Sequence, residues 1–131
     1  KLPSKLTAIR PYTFAYCTDI SKIDIPSTVT TIGYSAFAYC GELGYIELPE
    51  PLISLGDYAF YECTSMTALR YYDSIRFIGD AAFGFVGEYA YLSSFTAYGS
   101  EDTYAATYCS DYGLTSSPNI DNSDVEETTT E

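Results

Sequence analysis

Few side chains in this 131-residue chain could do chemistry, and most of those recur at one interval. Cys17, Cys40 and Cys63 stand 23 residues apart, with Val86 at the next place. Asp24 and Glu47 share that interval, and Arg70 lies one step further on. Paired carboxylates can divide the work of acid and base, as they do in glycosidases, and thiolates can act as nucleophiles or metal ligands. The chain has no histidine, which removes Ser-His and Cys-His pairs and most zinc sites. No CxxC occurs, and the glycines Gly41 and Gly44 lack the lysine of a phosphate loop. Asp121-Asn122-Ser123-Asp124 lacks the glycine and the distant glutamate of a calcium loop. No catalytic set, metal or cofactor is therefore expected. Asp24 and Glu47 read instead as part of a solvated face, with Glu47 and Arg70 partly paired.

The elements that would position these residues follow the same interval. Phe14, Phe37, Phe60 and Phe83 form one column, and Ile9, Ile32, Leu55 and Ile78 another. Leu6/Val29/Leu52/Ile75, Ile20/Leu43/Met66/Tyr89 and Ile23/Ile46/Leu69/Leu92 complete the set, with Gly33, Gly56 and Gly79 in three of four copies. A fixed apolar period of this length defines a stacked array. Within a copy, Tyr45-Ile46-Glu47-Leu48 alternates like a half-buried strand, and Pro49 ends it as Pro26 ends Lys22-Ile23-Asp24-Ile25. A turn is expected at Gly33. The apolar spacing of Ala36, Phe37 and Cys40 predicts one short helical turn. The fold class is thus an α/β solenoid of about four 23-residue repeats, with one parallel β-sheet and short helical turns on the opposite face. Cys17, Cys40 and Cys63 read as stacked, buried free thiols; a strained bridge between adjacent rungs is the open alternative.

The fourth copy departs from the pattern, since no proline follows Tyr89-Ala90-Tyr91-Leu92. Ser100 as N-cap and the acids after it predict a helix over Glu101–Tyr112, with Gly113 as a left-handed stop and Leu114 folding back. This helix, about 100–113, would shield the last rung and bury Cys109. The solenoid would then occupy 1–114, and 115–131 would be an acidic flexible tail or linker.

The net charge is −12, and all six cations lie between Lys1 and Arg76. Such a chain lacks the basic stripe that nucleic acid requires and is repelled by anionic lipid headgroups. It contains no apolar run long enough to cross a membrane. KLPSKLTAI already lies inside a repeat, so the chain is expected to belong to a longer one.

IPSTVTTIGYSAFAYCGELGYIELP, from Ile25 to Pro49, and PLISLGDYAFYECTSMTAL, from Pro51 to Leu69, resemble the Treponema pallidum-type (BspA-like) leucine-rich repeat. The shared pattern is a 23-residue unit built round IP, V, IG, AF, C, L and I. Arg10 stands in place of the glycine, Val86 of the cysteine and Tyr72 of the proline. The resemblance implies a leucine-rich-repeat solenoid from a secreted or cell-surface bacterial protein, of a kind that usually mediates protein binding or adhesion. It carries no catalytic residues to transfer.

On the sheet, Lys22, Tyr45, Ala68 and Tyr91 would project in one column and Asp24, Glu47, Arg70 and Ser93 in the next. Exposed tyrosine is a frequent contact residue. Tyr45, Glu47, Arg70, Tyr72 and Tyr91 are therefore the candidate binding surface. Tyr16 and Tyr39 on the other side read as a packed seam. The expected function is a non-catalytic interaction or adhesion module with a protein partner. Recognition of a surface glycan, or service as a spacer in a larger assembly, are the alternatives.

Overall fold

The computed structural model describes residues 2–87, 90–92 and 94–118. The chain coils as a parallel β-solenoid closed at one end by a single short helix. The middle turns bury their apolar columns against their neighbours, whereas Leu6, Phe14, Cys17, Ile20 and Ile23 of the first turn are only partly buried, so no turn could bury its core alone. Val29, Leu52 and Ile75 are all buried, as are Phe37, Phe60 and Phe83, and Ile46 lies opposite Leu69 in the interior.

Two parallel sheets, not one, form the walls. The first joins β1 (Ala8–Ile9), β2 (Thr31–Ile32), β4 (Ser54–Leu55) and β6 (Phe77–Ile78). The second joins β3 (Tyr45–Glu47), β5 (Ala68–Arg70), β9 (Thr96–Tyr98) and β10 (Ser116–Ser117). Strands of two residues show too little alternation to be read from sequence, which is why the first sheet escaped the periodicity. Residues 22–25, the expected strand of the first copy, are not paired as a strand.

The expected helical turns are also absent from the third side. Residues 34–40 form successive tight turns because their backbone donors are divided between two acceptor sets. Ser35, Phe37 and Tyr39 donate their N–H groups to Asp57, Ala59 and Tyr61 of the next rung, at 2.9, 2.8 and 2.7 Å. The intervening Ala36, Ala38 and Cys40 donate to carbonyls three residues back. A helix would need every donor to point four residues back along its own chain. Phe14 and Phe37 stack at 5.1 Å, and Phe37 and Phe60 at 5.0 Å, inside this ladder.

Glycine is required at the start of these turns by close approach, not by a special dihedral angle. A Cβ on Gly33 would lie 2.8 Å from Pro11 N, and one on Gly56 2.7 Å from both Gly33 C and Tyr34 N. Arg10 occupies the same column in the first rung.

The fourth rung breaks the period. Leu69 pairs with Ala97 and Arg70 with Tyr98, so the step is 28 residues, not 23. The extra chain includes an antiparallel pair, β7 (Phe85–Val86) with β8 (Ala90–Tyr91). Leu92 therefore leaves the Ile23/Ile46/Leu69 column; Tyr89 and Ser93, expected in two others, lie outside the described residues.

The capping helix α1 spans Tyr104–Asp111, shorter than expected at its start. Thr103, not Ser100, is the N-cap: its hydroxyl accepts from Ala106 N–H at 3.1 Å. Gly113 takes φ 72. Leu114 N–H bonds Cys109 O at 2.8 Å and Gly113 N–H bonds Ser110 O at 3.3 Å, the paired closure that ends a helix on a left-handed residue. Tyr108 lays its ring 5.1 Å from Phe83 and accepts from Ala82 N–H at 3.1 Å. Paired backbone continues past 114 to β10; the tail from residue 119 lies outside the described residues.

Candidate binding surface

The register of the second sheet assembles four of the five candidate residues. Tyr45 pairs with Ala68 and Glu47 with Arg70 across β3 and β5, as the 23-residue interval requires. Tyr72, two residues beyond Arg70, donates its hydroxyl to Glu47 Oε2 at 2.5 Å. The Arg70 guanidinium sits 5.0 Å from the centre of the Tyr72 ring, close enough for attraction to its π face. Glu47 and Arg70 are therefore coupled through Tyr72, a candidate contact residue that also stands in a proline's place in the repeat.

Tyr91 is elsewhere. It lies on β8, half-exposed, with its ring 5.0 Å from Phe85. The five-residue excess in the fourth rung moves it out of the sheet and puts Thr96 opposite Ala68.

Beside β3 the surface is concave. A groove of about 310 Å³ is walled by Asp24, Glu47, Glu50 and Tyr72, with Ile25, Leu48 and Pro49 contributing apolar lining. Asp24 and Glu47 thus face one groove without being strand neighbours. Glu50 was missed; the signal was its place just past Pro49, where the strand ends and the chain bends. Burial, reinforced by the Glu47 carboxylate, pushes the Tyr45 and Tyr72 phenols up to about 12. Both stay neutral hydrogen-bond donors throughout the ordinary pH range.

The thiols are placed as cores, with one addition. Cys17, Cys40, Cys63 and Cys109 are free, and all but Cys17 are buried. The Cys40 thiol donates to Phe14 O at 3.1 Å and Cys63 to Phe37 O at 3.2 Å, each reaching one rung back. Burial pushes Cys40 up to about 11 and Cys63 and Cys109 up to about 12. A protonated thiol is neither nucleophile nor metal ligand at neutral pH. Among the described residues no group of three or more acids and cysteines could hold a metal ion, and no helix is long and apolar enough to cross a membrane.

This architecture, a coil of near-identical turns offering walls and not a closed site, defines a leucine-rich-repeat solenoid. The chain belongs to the family described as BspA type leucine rich repeat region (6 copies), which matches residues 1–111. No curated protein matches it. Among solved structures it is similar to a leucine rich cell surface protein from Faecalibacterium prausnitzii A2-165, at 27% identity and a TM-score of 0.46. The similarity covers 63% of this chain and 28% of that one, so the chain spans less than a third of that protein's length.

Proposed function

We propose that this chain is a non-catalytic interaction module of a secreted or cell-surface bacterial protein, and that it meets a protein partner at the groove beside β3. The observation that carries this reading is the juxtaposition of Tyr45, Glu47, Arg70 and Tyr72 on adjacent strands and the turn after them, with Glu47 and Tyr72 lining that groove. Tyrosine and arginine are the residue types that most often anchor protein interfaces. Here the hydrogen bond and the cation–π contact hold them in place before a partner arrives, which lowers the ordering cost of association. Family membership supports the same reading, since repeats of this kind are typically binding surfaces and not enzymes.

The test uses the whole chain and a Tyr45→Ala/Tyr72→Ala variant, first matched for urea unfolding. Both are offered to a panel of purified bacterial and host surface proteins and to a glycan array. Saturable binding to a protein, weakened about ten-fold or more in the variant, is the expected result for loss of these anchors. Protein binding that is the same in both chains would overturn the proposed surface. Glycan binding alone, lost in the variant, would replace the protein partner with a saccharide.

A further inference from the structure

Six tyrosines that line no part of that groove meet on the turn side. Their rings touch in an unbroken series through Tyr12, Tyr34, Tyr58, Tyr61, Tyr39 and Tyr16, with centroid separations of 5.3, 5.9, 5.1, 5.7 and 4.8 Å. They come two from each of three consecutive rungs and occupy four columns, so no single sequence register reveals them. Tyr16 and Tyr39, expected to pack as a seam, are 66% and 39% exposed; Tyr12 and Tyr34 are 57% and 42% exposed. Contiguous exposed aromatic surface on a soluble domain marks a contact site.

Charge decides what such a contact would hold. Asp57 and Asp80 occupy the column of Tyr34, and Glu62 that of Tyr39, one and two rungs along. Asp57 Oδ1 accepts from Asp80 N–H at 2.9 Å and Glu62 Oε2 from Gly87 N–H at 2.6 Å, which fixes both carboxylates in position. Arg10 stands at the opposite rim, beside Tyr12. The patch is therefore polarised, aromatic throughout and acidic at its far end, on a chain of net charge −12. A proline would use the rings and gain nothing from the carboxylates, and a sugar would gain hydrogen bonds from them but no charge complementarity. An ammonium would use the carboxylates and stack poorly. A guanidinium does both, because it is planar, always charged and weakly hydrated. The protein shows the same preference internally, where Arg70 lies over Tyr72.

The geometry points to a second binding surface on the turn side, which takes an arginine-bearing polypeptide segment by stacking guanidinium groups on Tyr12, Tyr16, Tyr34 and Tyr39 and pairing them with Asp57 and Glu62. This surface is independent of the groove beside β3.

Isothermal titration of the whole chain with a capped Arg-Gly repeat octapeptide, its Lys-Gly counterpart and a neutral proline-rich octapeptide tests it. The key variant is Tyr12→Asn/Tyr16→Asn/Tyr39→Asn, since all three positions have positive φ (63°, 64° and 63°) and asparagine accepts that conformation. The arginine peptide should bind about five-fold tighter than the lysine peptide, and the variant should lose about ten-fold for arginine, as removal of exposed cation–π contacts implies. Asp24→Asn/Glu47→Gln should leave binding unchanged. Should the triple variant not fold, Tyr34→Ser is expected to weaken the arginine peptide about three-fold. Equal affinity for the two cationic peptides, equal binding by the tyrosine variants, tighter binding of the proline-rich peptide, or no binding of the arginine peptide would each overturn the proposal.

Discussion

Replacing Gly56 by alanine should unfasten two rungs. The added Cβ would stand 2.7 Å from Gly33 C and Tyr34 N, where carbon atoms prefer about 3.5 Å or more. Both obstructing atoms are backbone, so no rotamer change relieves the overlap. The second and third rungs must instead separate locally by roughly 0.8 Å to reach that spacing. Two inter-rung bonds flank the point, Gly56 N–H to Ile32 O at 2.8 Å and Ser35 N–H to Asp57 O at 2.9 Å, and such a separation stretches both past useful geometry. Losing them costs about 2 kcal/mol, and overpacking adds about 1–3 kcal/mol. Alanine returns about 0.5–1 kcal/mol by stiffening the unfolded chain. The net expectation is a loss of about 2–4 kcal/mol, a large share of the stability of a single domain. Urea unfolding followed by circular dichroism and tyrosine emission measures it. Gly44→Ala is the control, because its Cβ would meet nothing nearer than Ser65 O at 3.7 Å; it should leave stability unchanged or raise it by up to about 1 kcal/mol. If Gly56→Ala and Gly44→Ala unfold at the same urea concentration, close approach of the rungs is not what selects glycine in this column.

Alkaline pH should unfold the protein through its buried thiols. Cys63 and Cys109 ionise near 9 when exposed and only near 12 when folded, so above pH 9 the unfolded chain releases protons that the folded one keeps. Stability is fully present below pH 9 and falls by about 1.4 kcal/mol per pH unit for each such thiol as pH rises toward 12. A urea midpoint that stays level from pH 8 to 11 would contradict this. At Ser35, whose φ is 53°, valine should cost about 2 kcal/mol or more and glycine should be close to neutral, as thermal unfolding of the two variants would show; equal melting temperatures would mean the turn has another conformation.

The interval of 23 residues made the central register legible, because in-phase stacking lets one period determine all three cross-strand pairs between β3 and β5. The cap stop was legible without the period, since Gly113 and Leu114 announce their roles locally. What the period could not carry was non-local pairing. Ala36, Phe37 and Cys40 have a spacing that suits a helical turn or a ladder of tight turns equally well, and only the neighbouring rung's carbonyls choose between them. Tyr91 was misplaced for the complementary reason: an insertion changes register without disturbing the local alternation that made Tyr89-Ala90-Tyr91-Leu92 look like a strand. Thr103 displaced Ser100 as N-cap because Asp102 takes φ 59°, outside a right-handed helix, so the acids precede the helix and do not charge its first turn.

The departures from the repeat have a common physical origin in the position of each rung along the coil. Val86 can replace cysteine in the fourth rung, where the chain turns aside to pair β7 with β8 while Phe85 O still accepts from Glu62 N–H at 3.0 Å. Gly99 is fixed for the opposite reason: a Cβ there would run into the ring of Tyr71, which is buried and reaches Ser100 O with its hydroxyl at 3.4 Å. The interior is therefore specified by neighbours on both sides and admits only apolar or neutral polar groups. The walls are constrained by one neighbour or none, and there Tyr72 could take a proline's place and rings could gather on the turn side. Recognition in such a coil evolves on its walls because a change there need satisfy one rung at a time, whereas a change inside must satisfy three.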